Sequence, residues 1–404
     1  MMTKREKLIS SYPIPWDNET IIEFRCKLLQ WYDHNKRELP WRQTRDPYKI
    51  WVSEIMLQQT QVDTVKPYYQ HFITQLPTIK SLAEAPLSEL MQLWQGLGYY
   101  SRVRNMQIAA QQVMNQFEGE MPNDMSDLLT LKGIGPYTAG AIASIAFNQP
   151  EPALDGNLMR IVSRLFEIDQ DISKQSTKNL MMSYLYQLID PIRPGDFNQA
   201  LMDLGATIHT PSNYDLSMSP IKEFDQSYRK GTSHLYPVKR QKIKQTQHQI
   251  IAYVIKNPQG EFLMRQHQDT ELLQDLWHFP LVESQMVSES VSDEEILDIL
   301  WRQFGQELQE MSIDTHNFKR VVNRQNNDIS PTNPIIVKHV FSHRIWNVEL
   351  MFFNYCDQTV NQLQNFKWIS AQELTAFPIS TLQCKLLSQV IPDFEEIDKY
   401  ISDK

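Results

Sequence analysis

Glycine is scarce in this chain, at 12 in 404 residues, against a usual ~7%. Any place that sets two of them close together therefore has a backbone reason. Cysteine is scarcer still. Cys26, Cys356 and Cys384 are scattered and odd in number, which argues against a disulfide framework and fits a reducing cytoplasm. No apolar run approaches the ~18 residues of a membrane span, and nothing resembles a signal peptide. Cytoplasmic localisation with no membrane partner is the expectation.

A basic excess is also missing. The net charge is −9, which weighs against a nucleic-acid partner until it is divided along the chain. Residues 1–230 carry 23 Lys+Arg and 26 Asp+Glu, residues 231–250 carry 4 and 0, and residues 251–404 carry 12 and 22. The acidity sits mainly in the last third. A basic run, Lys239-Arg240-Gln-Lys242-Ile-Lys244, lies before it. Local patches decide nucleic-acid binding, so the total weakens that class without excluding it.

What the chain does have is helical periodicity, over 20–33, 47–75, 81–116, 125–131, 136–148, 156–167, 174–190 and 197–208. Strand-like alternation is rare before residue 245. This predicts an all-α domain over 1–232, with a helix–hairpin–helix at about 125–148, and a basic linker over 233–246. Residues 249–255, 261–265, 335–341 and 345–353 read as strands, and 293–304 and 382–390 as helices. They predict an α+β domain over 247–398.

The two close glycines stand in Leu131-Lys-Gly-Ile-Gly135, ahead of the helical stretch that begins at Pro136. Gly133 and Gly135 allow a turn that residues with a Cβ resist, and Pro136 suits a first helical turn. Free backbone N–H groups at such a helix start make a ready anion site. The turn could grip a DNA phosphate without reading a base. It could equally be a plain helix–turn–helix joint, with Asp155 in Leu154-Asp-Gly-Asn157 as a capping residue.

Those two segments have company. Leu39-Pro-Trp-Arg42, Ser53-Glu-Ile-Met-Leu-Gln-Gln-Thr-Gln-Val62 and Gly96-Leu-Gly-Tyr-Tyr100 precede them in order. The five together resemble the MutY family of adenine DNA glycosylases, within the helix–hairpin–helix glycosylases. The resemblance covers roughly residues 30–210, and the C-terminal domain resembles the family's Nudix-like module. It implies a monofunctional glycosylase of base excision repair, nucleoid-associated and monomeric. Its substrate would be adenine mispaired with 8-oxoguanine or guanine in duplex DNA. The target base must leave the stack, which costs a few kcal/mol and favours mispairs. By the same resemblance Gln59, Leu97 and Tyr99 wedge into the gap.

The implied chemistry needs two carboxylates with different tasks. Glu54 matches the family's general acid, which protonates adenine N7. Trp51, Ile55 and Met56 around it predict burial, which raises a carboxyl pKa. Asp155, at a helix N-terminus, is suited to staying ionised and facing an oxocarbenium-like sugar. Tyr137 matches the active-site tyrosine and could hydrogen-bond Asp155. Asn157 would position the deoxyribose or water, and Arg42 and Gln199 match positions lining the adenine pocket. Related strand-cutting enzymes carry a Schiff-base lysine at the position of Tyr137, and a tyrosine cannot form that base.

The chain departs from the family at four positions. Most relatives bind a [4Fe–4S] cluster through four cysteines, where this chain has His209, Leu216, Ser219 and Asp225. Cluster ligation needs thiolates, so no iron–sulfur cluster, other cofactor or metal is expected, as in a clusterless subset of the family. Tyr214, Leu216, Met218 and Phe224 could form an apolar cluster in its place. In the C-terminal domain a hydrolytic Nudix helix would need a Glu-rich metal box, and Asp293, Glu294 and Glu295 lack its spacing. The domain therefore reads as a binding module, with Phe341, Ser342 and His343 as the segment that probes 8-oxoguanine. Three rival classes remain: a non-catalytic damage-binding protein on this scaffold, a glycosylase/lyase for oxidised pyrimidines, and a nucleotide hydrolase.

Overall fold

The first helix is set by its cap rather than by an apolar face. Thr3 and Glu6 form a reciprocal capping box at the start of α1 (Lys4–Ser11), which buries no side chain. Periodicity misses such a helix. The capping pattern Thr-x-x-Glu was its only signal. The structure, a computed structural model, describes residues 2–239, 245–268, 272–283, 292–314, 317–321, 334–357 and 363–391. Residues 240–244 of the expected linker and 392–398 of the expected second domain lie outside the described residues. The chain divides into two units, Met1–Ala85 with Arg104–Lys242, and Pro86–Val103 with Ile243–Lys404.

The first unit is helical, as the periodicity predicts. In chain order it holds α2 (Asn18–Asn35), α3 (Pro47–Leu57), α4 (Val62–Gln75) and α5 (Ile79–Glu84). α6 (Leu87–Leu93) and the start of α7 (Ser101–Gln116) count with the second unit; the first resumes within α7 and continues through α8 (Met125–Leu128), α9 (Pro136–Ile145) and α10 (Gly156–Leu165). It ends with α11 (Gln175–Leu188), α12 (Pro194–Thr207) and α13 (Gln226–Lys230). Two long periodic runs turn out to be interrupted. The run 47–75 breaks where Gln59 takes φ 59°. The run 81–116 breaks at Ala85-Pro86, between α5 and α6, and again where Gly96, Gly98 and Tyr99 take φ of 96°, 69° and 48°. A left-handed residue ends an α-helix whatever the flanking apolar pattern. The core joins Phe24 and Leu28 of α2 to Ile161 and Val162 of α10, Leu185 of α11 and Phe197 and Leu201 of α12.

The second unit is built on β1 (Thr246–Lys256), β2 (Phe262–Gln266), β3 (Trp277–His278), β4 (Leu281–Glu283), β5 (Phe318–Arg320), β6 (Ile336–Val340), β7 (Arg344–Tyr355) and β8 (Phe366–Ile369). The sheet runs β3-β2-β1-β7-β5, with β4 on β1, β6 on β7 and β8 on β2. The long β1 and β7 pair in parallel. Both faces of β1 are covered, which explains its continuous apolar run. Ile250, Ala252 and Val254 face Leu382, Leu386 and Leu387 of α15 (Thr381–Val390). Ile251, Tyr253 and Ile255 face Ile296, Leu300, Phe304 and Leu308 of α14 (Asp293–Glu310). That is the period-2 alternation of a strand between two layers. The expected helix 293–304 continues to Glu310 across a kink at Phe304 (φ −129°, ψ 16°). No described helix is long and apolar enough to cross a membrane.

Candidate active site

Six residues singled out from the sequence come together in the first unit. Glu54, Tyr137, Asp155, Asn157, Arg42 and Gln199 line one cavity of ≈ 190 Å³. They arrive from five segments. Glu54 lies in the buried middle of α3, where Asp46 caps the helix and Pro47 opens it. Tyr137 is in the first turn of α9, Gln199 is on α12, and Arg42 ends a short 3₁₀ turn, Pro40–Arg42.

Asp155 is the cap of α10 and accepts from the backbone N–H of Leu158 at 2.8 Å. Its other oxygen accepts from Asn157 Nδ2 at 2.7 Å. Asn157 Oδ1 in turn accepts from Arg160 at 2.7 Å. The close approach of α12 behind Asn157 depends on Gly205, where an added Cβ would lie 2.5 Å from the Asn157 Cβ. So one residue with no side chain lets two helices meet behind the carboxylate.

Tyr137 corrects one expectation. Its hydroxyl donates to Glu54, not to Asp155, at 2.5 Å. Glu54 is only 4% exposed. Burial lifts its carboxyl to about 7. The Tyr137 hydrogen bond and the Arg42 charge pull it down and the Asp155 charge pushes it up. A carboxyl in this state holds a proton near neutrality and can give it away. The Tyr137 hydroxyl is driven far up by burial and by the two carboxylates, so it stays protonated. Asp155 is also raised by burial, against the pull of its hydrogen bonds from Leu158 and Asn157 and the charge of Arg160. The helix N-terminus therefore works against desolvation there, rather than acting alone.

Arg42 and Gln199 line the pocket, but Arg42 does not point a free cation into it. Both arms of its guanidinium bind Asp203, at 2.5 and 2.8 Å. Sequence reasoning missed Asp203. The available signal was a carboxylate inside the apolar face of α12, four residues after Gln199.

The glycine turn divides its two residues. Gly133 has φ 79°, and a Cβ there would lie 2.8 Å from the Asn105 Cβ. Gly135 has φ −92° and open space around it. Only Gly133 needs to be glycine for the fold, which corrects the expectation that both do.

The segments expected to enter DNA differ in exposure. In the first unit Gln59 is exposed at its left-handed corner. In the second unit Tyr99 is 46% exposed, while Leu97 is 5% exposed and packed. Leu97 is thus a core residue, not a wedge. Arg102, also unforeseen, donates to the carbonyls of Leu97 and Gly98 at 2.9 and 3.1 Å. Its guanidinium lies 5.5 Å from the Tyr99 ring.

Phe341, Ser342 and His343 occupy the turn between β6 and β7. Val340 pairs with Ile345, and the Phe341 N–H donates to Arg344 O at 2.8 Å. Phe341 is half-buried, 4.6 Å from the His339 ring and 5.0 Å from the Trp346 ring. It anchors the turn instead of reaching out from it, as an aromatic beside the sheet core must. Ser342 and His343 are exposed. Within this unit Ser342 Oγ and the Tyr99 hydroxyl share a 2.6 Å hydrogen bond.

Comparison with known proteins agrees with the two-part chain. Residues 52–187 match the HhH-GPD superfamily of base excision DNA repair proteins, and residues 251–389 match the NUDIX domain. A protein named adenine DNA glycosylase from Schizosaccharomyces pombe is 32% identical over 418 aligned positions, covering 87% of this chain and 86% of its own. The chain belongs to the MutY family of adenine DNA glycosylases. Relatives of the same name in Mus musculus and in Buchnera aphidicola of Schizaphis graminum are 43% and 36% identical, over 56% and 65% of this chain. This chain covers 47% of the mouse protein and 75% of the Buchnera one. It spans about half the length of the mammalian relatives that it matches.

For a member of this family the iron–sulfur positions can be tested against the cluster. They do not fit it. His209 is fully buried, and its Nε2 is bound to Ser219 Oγ at 2.9 Å. Burial, with Arg164 and Arg160 nearby, drives it down to about 3, so it is neutral. Leu216 is packed, and Asp225 caps α13 through the Tyr228 N–H at 3.0 Å. The expected apolar cluster does not form either. Met218 is 70% exposed, Tyr214 lies under Arg164 at 4.1 Å, and Phe224 packs on Trp16 and Phe24. Buried arginines brace this loop: Arg160 holds the carbonyls of Gly205 and His209, and Arg164 holds that of Thr210.

Proposed function

We propose that this chain is a monofunctional DNA glycosylase of base excision repair that removes adenine opposite 8-oxoguanine or guanine. The supporting observation is one cavity lined by a buried carboxyl poised near 7, a second carboxylate on a helix cap, and an arginine and glutamine beside them. The family relatives carry the name of that activity.

Glu54 gives its proton to adenine N7, which turns a poor leaving group into a good one. The Tyr137 hydroxyl holds Glu54 in place during the transfer. As the glycosidic bond breaks, positive charge grows on the sugar. Asp155 stands where that charge is stabilised, oriented by Asn157, the Leu158 N–H and the helix start; a water molecule then adds to C1′ and loses a proton to solvent, which completes the hydrolysis. Tyr137 carries no amine, so no Schiff base forms and the strand stays intact. The glycine turn grips a backbone phosphate. Gln59 and Tyr99 fill the gap left by the flipped base, and Ser342 and His343 probe the lesion on the opposite strand. No iron–sulfur cluster takes part; iron and sulfide analysis of the pure protein tests this, and stoichiometric amounts of both would refute it.

The deciding experiment incubates the protein with a duplex holding one 8-oxoguanine:A pair, with and without alkali. Strand scission only after alkali is expected. Scission without alkali makes it a lyase, and none in either arm makes it a binding protein.

A further inference from the structure

We propose that Asp203 is a positioning residue of the adenine pocket. It fixes Arg42 and Arg37 at the pocket wall and offsets one of their two positive charges beside Glu54. This rests on the reading of Glu54 as the acid.

Asp203 is buried on α12, and its side chain is 1% exposed. Burying a lone carboxylate is costly unless it is paired. Here it is paired twice. Arg42 grips both oxygens, at 2.5 and 2.8 Å. Arg37 adds its backbone N–H at 3.2 Å and its Nε at 2.7 Å. Burial pushes Asp203 up, but Arg42 and Arg37 outweigh it and keep the group ionised. Both arginines line the same cavity as Glu54.

The consequence is electrostatic. Three other titratable groups bear on Glu54: Tyr137 from α9, Asp155 from the start of α10, and Arg42 from the 3₁₀ turn. Among the described residues, Arg37 is the only further ionisable one lining the cavity. A cation favours the ionised carboxyl and so removes the proton that the reaction needs. Without Asp203 beside it, Arg42 would pull Glu54 down further than it already does. Asp203 supplies the compensating charge from behind, out of reach of the substrate. It also restrains the guanidinium, which lies 5.7 Å from the Tyr32 ring.

The test is single-turnover adenine release against pH, under saturating duplex so that binding does not enter. In the wild type the rate should fall as pH rises through about 7, where Glu54 loses its proton. Asp203→Asn should move this limb to lower pH. By about one unit, the loss would be ~10-fold at pH near 8 and small at pH near 6. Arg37→Met removes a cation while its backbone contact stays, so the limb should move the opposite way. A structural defect lowers the rate at all pH values and cannot produce shifts of opposite sign.

A uniform drop in Asp203→Asn, or Arg37→Met with an unmoved or lowered limb, overturns the proposal. If Asp203→Asn fails to melt cooperatively, Arg37→Met alone decides. Glu54→Gln separates the two readings. If it stays active, the acid assignment fails. If it is dead while both limbs are unmoved, only the role of Asp203 fails.

Discussion

Glu54 and Ser342 mark two regions built on opposite terms. Glu54 is 4% exposed, locked by Tyr137 and surrounded by core. Ser342 and His343 stand exposed on a hairpin turn whose only packed member is Phe341. Acid catalysis needs desolvation, since water would leave the carboxyl ionised at neutral pH. The lesion recognition proposed for Ser342 and His343 needs reach, and a short turn held by two paired strands gives reach with little freedom. The cavity around Glu54 thus hides its polar groups and the Ser342 turn presents them. Both fix them through residues that do no chemistry, Asp203 and Arg160 in one, Phe341 in the other.

The largest effect should come from breaking the buried side. Glu54→Gln and Asp155→Asn should each lower single-turnover adenine release on the order of 10³-fold or more, since one removes the proton and the other the stabilising charge. Binding of the mispaired duplex should survive, because only the transition state needs either group. The measurement pairs quenched single-turnover rates with equilibrium binding. Retention of a tenth of the rate in either variant would sink the assignment.

How much of this could be read from the chain follows from the range of each contact. Glu54, Tyr137, Asp155 and Asn157 sit in local motifs whose spacing carries their geometry, and all four meet in the cavity. Partners set by tertiary packing were less legible. Tyr137 chose Glu54 over Asp155, and Asp203 meets arginines 161 and 166 positions away. Helix breaks at Gln59 and Tyr99 were hidden because their flanks keep an apolar period. β3, β4, β5 and β8 have two to four residues each, too few for an alternation to register. Leu97 shows the opposite failure. Its motif marks a wedge, but a leucine beside a glycine corner was free to fold inward.

Breaking the exposed side should cost less. Ser342→Ala with His343→Ala should narrow the preference for 8-oxoguanine:A over G:A by about tenfold, the value of one or two hydrogen bonds. The rate on G:A duplex and the melting temperature should hardly move. Phe341→Ala should give the same narrowing with added loss of stability, because it unpins the turn from His339 and Trp346. Comparing the two variants by rate ratio and by thermal melting separates contact from scaffold. Unchanged preference in both would return lesion recognition to the helical unit.

The smallest effects, and the sharpest contrast, lie in the glycine turn, where the two terms meet two residues apart. Gly133 is left-handed and crowded by Asn105, so Gly133→Ala should destabilise the fold by ~1–2 kcal/mol. Gly135 is extended at φ −92° and ψ 177° with open space beside it. An alanine fits that backbone and reduces the freedom of the unfolded chain, but Gly135 is the N-cap of α9, where alanine is a poorer cap; the two oppose each other, so Gly135→Ala should change stability by less than about 1 kcal/mol. If a phosphate comes close to this helix start, the added methyl should still weaken DNA binding and do so equally for matched and mispaired duplexes, since the contact reads no base. Urea melts and binding isotherms at two salt concentrations measure both. A Gly135→Ala variant of near-unchanged stability with weakened binding identifies a glycine kept for its ligand. Full binding in that variant would mean that the phosphate sits elsewhere, and that the turn is a joint and nothing more.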